Sequence, residues 1–309
     1  MVAQPVAQSI SQRVWRRLSN QGFAGEVGST FRRACMVVDC DSQVVFLVLP
    51  DIGDGPLNIV LAAQPGVFAG VARGSPVRLD RNRLRLGQLQ IQLKNPAIWD
   101  PRPNWNRLRA TASPISAALP ELIEFAAPLA PDSSLLALIA RRGSDSQTAM
   151  PLNSILASTV HEAMQELKAG WGGRADHVHT GASRLAGLGT GLTPAGDDFL
   201  AGLMLWSWLA HPRPDRYCRQ LLGAASPRTT RLARALLAVA AKGECSAPWH
   251  SLLEALAQRS KSRSQSAVRD VLAFGATSGA DALAGFLFMG LETTCGAAPL
   301  TLRGERGPE

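Results

Sequence analysis

The fold is decided by the stretch Gly187-Leu188-Gly189-Thr190-Gly191-Leu192-Thr193-Pro194-Ala195-Gly196-Asp197-Asp198-Phe199-Leu200-Ala201-Gly202. Glycine permits positive φ and lets the backbone approach a ligand closely. Thr193 is predicted as the N-cap of a helix and Pro194 as its first residue, where a missing N–H costs nothing. Free N–H groups at a helix start bind anions. The sequence therefore predicts an anion-binding loop that includes Gly189, Gly191, Thr193 and Gly196.

The pattern recurs as Thr277-Ser278-Gly279-Ala280-Asp281-Ala282-Leu283-Ala284-Gly285. When the two stretches are aligned, Asp198 matches Asp281 and Gly202 matches Gly285. Residues three and four positions apart share a helix face, and small residues there let two helices approach closely. Two unrelated capped helices are the alternative, but capping does not require the later glycine. We therefore predict that the helices cross near Gly202 and Gly285 and bring Asp198 and Asp281 to one site.

These two motifs supply the candidate site residues. The candidate catalytic residues are Asp197, Asp198 and Asp281. Outside the first loop, the candidate substrate-binding residues are Arg184, Thr277, Ser278 and Gly279. Arg184 would provide positive charge for an anion, with an ordinary helix-surface role as the alternative. Asp198 and Asp281 could hold Mg²⁺, although the sequence establishes no metal.

A further metal candidate is the His177-Val178-His179 pair, which follows Trp171-Gly172-Gly173-Arg174. In a strand both rings would lie on one face. The preceding glycines favour a polar loop instead, so we do not assign a metal to this segment.

The chain is β-rich first and α-rich second. Short apolar or alternating runs predict strands at 34–39, 44–49, 57–63, 77–79, 83–86 and 88–93. Residues 8–19 are predicted to form a short amphipathic helix through Ile10, Val14 and Leu18. Apolar stripes predict later helices over 152–167, where Gly170 ends the helix, and near 232–239, 249–256, 268–272 and 279–292. The expected class is α+β: a small antiparallel sheet or barrel, then a mostly α-helical domain with two Gly/Asp helix starts.

The predicted boundaries follow these changes of pattern. They are a helical lead-in over 1–27, a β-rich domain over 28–97, a Pro-rich linker with connecting helices over 98–150, an α-helical domain over 151–302 and a disordered tail over 303–309. The linker prediction rests on Pro96, Pro101 and Pro103.

The amino-acid composition limits which classes of function the chain can have. The 309 residues are 46% apolar, enough for a sizeable core, and the formal net charge is +8. The basic residues are scattered and lack aromatic partners, so a solvated basic surface is expected rather than nucleic-acid binding.

Five irregularly spaced cysteines argue against a disulfide framework or zinc site. Without a signal peptide or a spanning helix, a cytoplasmic protein with no membrane partner is expected.

The long Gly/Asp motif and its later echo resemble the AllH-like family, long listed as a domain of unknown function. Less specific likenesses are Ser29-Thr30-Phe31-Arg32-Arg33, Gly53-Asp54-Gly55-Pro56 and Trp99-Asp100-Pro101. The resemblance covers about residues 28–292. It implies a subunit of a carbamoyltransferase complex acting on oxamate and carbamoyl phosphate in purine (allantoin) catabolism, with partner subunits that resemble acyl-CoA synthetase-like proteins. Thr190 and Ala195 depart from the family motif, which has Pro and Ser there, so a hydroxyl near the ligand is missing.

Two further functions stay open at this point. Paired Asp motifs at helix starts are also similar to those of ADP-ribosylglycohydrolases, which would make the chain a stand-alone Asp-dependent metallohydrolase. The third possibility is a non-catalytic ligand-binding or scaffold subunit. Metal-dependent activity of the isolated chain, rescue by partner subunits, or binding without turnover would distinguish the three.

Overall fold

The computed structural model describes residues 4–141 and 154–294. A β-barrel comes first and a helical region follows, so the predicted α+β class is confirmed. The expected disordered tail over 303–309 lies outside the described residues, and the predicted domain boundaries stay a prediction.

The barrel is a closed sheet in the described part of the chain. Its strands are β1 (Val6–Ser11), β2 (Ala24–Thr30), β3 (Ala34–Asp39), β4 (Val44–Val48), β5 (Asn58–Ala62), β6 (Pro76–Asp80), β7 (Arg83–Leu86), β8 (Leu89–Gln92) and β9 (Ala97–Trp99). The order across the sheet is β5-β4-β3-β2-β6-β7-β8-β1-β9, and β5 also pairs with β1. Closure removes the free edges of a sheet.

Strand β1 closes the barrel and corrects one prediction. The helix expected over residues 8–19 is wrong at its start, because α1 (Gln12–Gln21) begins four residues later. Strand β1 pairs antiparallel with β5 along one edge, and with β8 and β9 along the other. Ile10 lies on β1 and is fully buried in the barrel core. Val14 and Leu18 lie on α1, as predicted, and their side chains are buried in the same core. The sequence did not predict this strand because strand β1 is stabilised by pairing with residues that are distant along the chain.

Tight turns join neighbouring antiparallel strands of the barrel. Strands β3 and β4 are joined by a turn in which an Asp39 carboxylate oxygen accepts the N–H groups of Asp41 and Gln43 at 2.9 and 2.8 Å. Ser42 adopts φ 61° there, the left-handed conformation that tight turns use. Strands β6 and β7 form another hairpin. The segment that contains Pro96, Pro101 and Pro103 is not entirely a linker, since strand β9 lies between Pro96 and Pro101.

The helical region contains the elements α2 (Trp105–Ala110), α3 (Ala112–Ala126), α4 (Leu135–Arg141), α5 (Ser154–Gly170), α6 (Ala175–Leu185), α7 (Ala195–Ala210), α8 (Pro214–Ala225), α9 (Arg231–Ala240), α10 (Ala247–Ala257), α11 (Lys261–Leu272) and α12 (Ser278–Thr294). Every helix predicted from an apolar stripe is present, and α5 ends at Gly170 as expected. Short 3₁₀ turns follow α3 and α8.

Helices α7 and α12 cross in the centre of this region. A Cβ placed on Gly202 would overlap the Ala282 carbonyl, and one placed on Gly285 would overlap the Phe199 carbonyl. Backbone therefore packs directly on backbone at the crossing, as small residues at this spacing predict. Phe199 and Phe286 are fully buried beside it.

The barrel and the helices are joined by polar contacts. Arg13 at the start of α1 donates two hydrogen bonds to the Glu244 carboxylate, at 2.5 and 2.6 Å. The Ala247 N–H donates to the Asp54 carbonyl at 2.9 Å. Leu232 of α9 also packs on the outer face of strands β3 and β4. These contacts fix the junction from several sides.

Each helix in the described part of the chain is too short or too polar to cross a membrane.

Candidate functional site

The start of α7 differs from its prediction in one detail. The helix begins at Ala195, and Pro194 occupies the N-cap position without a side-chain cap. The Pro194 carbonyl accepts the N–H groups of Asp197 and Asp198, and the Leu188 carbonyl accepts that of Gly196. The prediction of Thr193 as the N-cap is therefore wrong. These N–H groups of the first helical turn donate to backbone carbonyls, so no side-chain cap is needed. The Thr193 hydroxyl lies 2.9 Å from that of Ser278 instead.

The loop before α7 combines tight packing with one open face. Gly187, Gly189 and Gly191 have φ values of 74°, 114° and 97°. A Cβ on Gly187 would overlap the Arg228 carbonyl, and one on Gly196 would overlap the Leu185 carbonyl. Those two glycines are required for close backbone packing. At Gly191, by contrast, no atom lies within 4 Å of an added Cβ, so the backbone there faces open space.

Hydrogen-bond donors remain available on this open face. Within the described residues, no carbonyl or side chain accepts from the backbone N–H groups of residues 189–193. The Leu192 carbonyl is held by the Thr230 hydroxyl at 2.6 Å. The free donors thus lie in the loop itself, while the N–H of Gly196 is used internally.

Asp197 holds the loop in place. One of its carboxylate oxygens accepts from the Gly187 N–H at 3.0 Å and from the Thr229 hydroxyl at 2.7 Å. Burial raises the pKa of Asp197, while these two hydrogen bonds act in the opposite direction. Thr229 was missed from the sequence, because nothing local connects it to a carboxylate 32 residues away.

Asp198 lies between the two helix starts. The pKa of Asp198 is raised to about 8, chiefly by burial and to a smaller extent by the neighbouring Asp281 and Asp197 carboxylates. Hydrogen bonds from the hydroxyls of Ser278 and Thr193 act against this rise. Asp198 and Asp281 are therefore close enough to interact electrostatically, and the hydroxyl groups of both motifs meet at Asp198.

Asp281 is fully buried and anchored by a third helix. One carboxylate oxygen accepts the N–H of Leu135 at 2.7 Å, at the start of α4, where a helix favours negative charge. Burial raises the pKa of Asp281 to about 6, against the hydrogen bonds from Leu135 and Thr277. Sequence reasoning could not find Leu135, since the contact uses only its backbone.

One oxygen of each carboxyl is left without a partner. Asp197 Oδ1, Asp198 Oδ2 and Asp281 Oδ2 are buried and accept no hydrogen bond from any described residue. An unpaired buried polar atom is costly, so such atoms mark positions where a proton, water or ligand completes the bonding. The described residues contain no group of three His, Cys, Asp or Glu side chains suited to a metal. Asp198 and Asp281 alone would give Mg²⁺ two of its six oxygen ligands.

The remaining predicted residues take different positions. Arg184 forms an ion pair with Glu162 at 2.6 Å on the surface of α5 and α6. Gly189 packs near the Ala195 nitrogen, and Gly279 packs against the Val271 carbonyl. Thr277 lies beside Asp281 at the start of α12. The structure thus brings Thr193, Thr277 and Ser278 to the aspartates and places Arg184 in a surface pair.

The His177–His179 segment is helical, so the expected polar loop is wrong. It belongs to α6, whose buried residues Val178, Ala182 and Leu185 form the helix face that packs inward. Positions two apart lie on different sides of a helix. His177 Nδ1 lies 2.6 Å from a Glu166 carboxylate oxygen.

Two family models match the chain. One, described as the AllH family N-terminal domain, matches residues 6–98, which correspond to the barrel. The other, described as oxamate carbamoyltransferase subunit AllH, matches residues 185–290 and includes both Gly/Asp motifs. Together the two regions make up more than half of the chain, which belongs to the AllH family. No curated protein and no solved structure matches it.

Proposed function

We propose that this chain is a subunit of an oxamate carbamoyltransferase-type complex and binds a small anionic substrate, carbamoyl phosphate or an oxamate-like acid, at the two Gly/Asp helix starts. The family description supports the complex. The open loop at 189–193 supports the anion, since no acceptor among the described residues takes a hydrogen bond from its backbone N–H groups.

The observation that carries this proposal is the pair of buried carboxyls. With pKa values of about 8 for Asp198 and about 6 for Asp281, the pair holds one proton between them at neutral pH. Two carboxyls with separated pKa values provide one acid and one base. A protonated Asp198 also leaves only one of the two carboxyls charged, which lowers the repulsion that the pair exerts on an anion.

The chemistry of a carbamoyl group fits such a pair. Its carbonyl oxygen accepts hydrogen bonds and its NH₂ donates them. Asp198, as the acid, donates to the oxygen as negative charge develops there, and Asp281, as the base, accepts from the NH₂. The N–H groups of residues 189–193 bind the phosphate or carboxylate oxygens. Were Mg²⁺ to bind here, Asp198 and Asp281 would be the residues that hold it, and the ion would supply positive charge for the anion.

Partner subunits complete the proposed enzyme. The family resemblance makes them acyl-CoA synthetase-like carbamoyltransferase subunits, working in the cytoplasm in purine or allantoin nitrogen catabolism. Arg184 is engaged with Glu162, so the positive charge that an anion requires is assigned to a partner or to Mg²⁺.

The test is reconstitution with candidate partner subunits and an assay of carbamoyl phosphate turnover. Asp198→Asn and Asp281→Asn should each lower kcat about a hundredfold or more, as loss of an acid, base or charge-stabilising group does. Asp270→Asn, an exposed carboxylate on α11, is the matched control and should leave turnover unchanged.

Three outcomes contradict the proposal. Unchanged turnover in both site variants would remove the carboxyls from the mechanism. Metal-dependent hydrolysis by the isolated chain would indicate the metallohydrolase. Ligand binding by the chain with no effect of either variant on turnover would indicate a scaffold subunit.

A further inference from the structure

A polar cavity lies at the junction between the barrel and the helices, and none of its lining residues belongs to the Gly/Asp site. It has a volume of about 450 Å³. Its walls come from the first turns of α1, the segment after β9 and the segment after α9. The charged side chains that line it are Arg13, Arg16, Asp100, Arg102, Lys242 and Glu244.

The three walls are fixed relative to one another. The two-point ion pair of Arg13 and Glu244 joins α1 to the segment after α9, at 2.5 and 2.6 Å. The Pro101 carbonyl accepts the N–H of Cys245 at 2.9 Å, which joins the segment after β9 to the same wall. The cavity is therefore held open by contacts that do not need a ligand.

Its positive charge is only partly neutralised. Glu244 is occupied by Arg13. Within the described part of the chain, Arg16, Arg102 and Lys242 have no carboxylate ion pair, and the Arg102 guanidinium lies 4.7 Å from the Trp208 ring centroid. The Asp100 carboxylate accepts from the Arg102 backbone N–H at 3.0 Å. Four cationic and two acidic side chains leave two net positive charges.

We propose that this cavity binds a phosphoanion: inorganic phosphate, pyrophosphate or the phosphate group of a small metabolite. A concave surface lined by one sign of charge concentrates ions of the opposite sign. Arginine and lysine are the side chains that bind phosphate oxygens in proteins. The volume falls within the range of about 300–1,000 Å³ typical of small-molecule sites, so it admits a phosphate ester as well as a bare ion. The inference rests on different residues from the proposed function and does not depend on it.

The experiment uses the full chain and isothermal titration calorimetry. Inorganic phosphate, pyrophosphate and glycerol phosphate are the three probes, each compared with sodium chloride at equal ionic strength. The variant Arg16→Gln/Lys242→Gln removes two unpaired cations of the cavity. The control Arg73→Gln/Lys94→Gln removes the same charge at exposed positions outside the lining.

At least one phosphoanion should bind the wild type and the control equally, and the cavity variant at least tenfold more weakly. The probe that binds most tightly identifies the source. Equal binding by cavity and control variants would overturn the inference, as would absence of binding of all three probes to the wild type. Loss of binding in Asp198→Asn but not in the cavity variant would assign the anion to the Gly/Asp site. An effect of the cavity variant confined to partner-subunit binding would make this surface a protein interface and would also overturn it.

Discussion

The Thr193 hydroxyl at the start of α7 lies 2.9 Å from the Ser278 hydroxyl at the start of α12, across 85 residues of sequence. Both hydroxyls also lower the pKa of the Asp198 carboxyl, against the larger effect of burial. The two helix starts are thus connected by side chains as well as by the backbone contact at Gly202 and Gly285. A change in either motif is expected to disturb the other.

The crossing glycines give the first prediction. Gly202→Ala and Gly285→Ala should each lower the free energy of unfolding by about 3 kcal/mol or more, because the new methyl group would overlap a carbonyl that cannot move without separating the helices. Urea denaturation measures the change.

The matched control is Gly223→Ala. Gly223 lies on an exposed position of α8, and an added Cβ meets no atom within 4 Å. This variant should be neutral or stabilised by up to about 1 kcal/mol, since alanine is the better helix former. Equal effects at all three glycines would show that helix propensity, rather than the crossing, determines the result.

The contact of Asp197 with Thr229 gives a second prediction. Asp197→Asn and Thr229→Val should each destabilise the protein, and the double variant should lose less than the sum of the two. A coupling free energy of about 1–2 kcal/mol is expected for a buried hydrogen bond to a carboxylate. Thermal or urea unfolding of the four proteins measures it. Additive effects would contradict the assigned role of Asp197 in holding the loop.

Magnesium gives a third prediction. Since the described residues supply at most the Asp198–Asp281 pair, Mg²⁺ alone should leave the Tm unchanged relative to sodium chloride of equal ionic strength. A rise in Tm for the wild type that Asp281→Asn abolishes would show that the ion binds these carboxyls directly and displaces their shared proton.

Much of the site could be predicted because its signals repeat along the chain. The paired Asp and Gly positions of the two motifs predict the crossing, where Gly202 and Gly285 each pack against a backbone carbonyl of the other helix. The strands β3 and β4 were equally accessible, since their apolar residues form two short runs, at 34–39 and 44–49.

Other features of the fold and the site could not be predicted, because they depend on contacts between residues that are distant along the chain. Strand β1 exists through its pairing with β5, β8 and β9. The anchor of Asp281 is the backbone N–H of Leu135, which any residue but proline would supply. The glycines before α6 suggested a loop, but the apolar residues of that segment pack inward and stabilise a helix despite its polar His177 and His179.

The raised pKa of Asp198 gives the last prediction. Its folded-state value of about 8 lies above the ordinary 3.8, so between these values the folded protein holds a proton that the unfolded chain has released. This contribution to the free energy of unfolding is fully present below about pH 4 and is lost as the pH rises toward about 8, by at most about 1.4 kcal/mol per pH unit. Asp198→Asn is neutral at every pH and should show a shallower decline between about pH 5 and about pH 8, whereas Asp270→Asn should follow the wild type. Urea denaturation across this range measures the slopes. Parallel slopes for the wild type and Asp198→Asn would mean that Asp198 is already ionised in the folded protein, and the assignment of Asp198 as the acid of the pair would have to be abandoned.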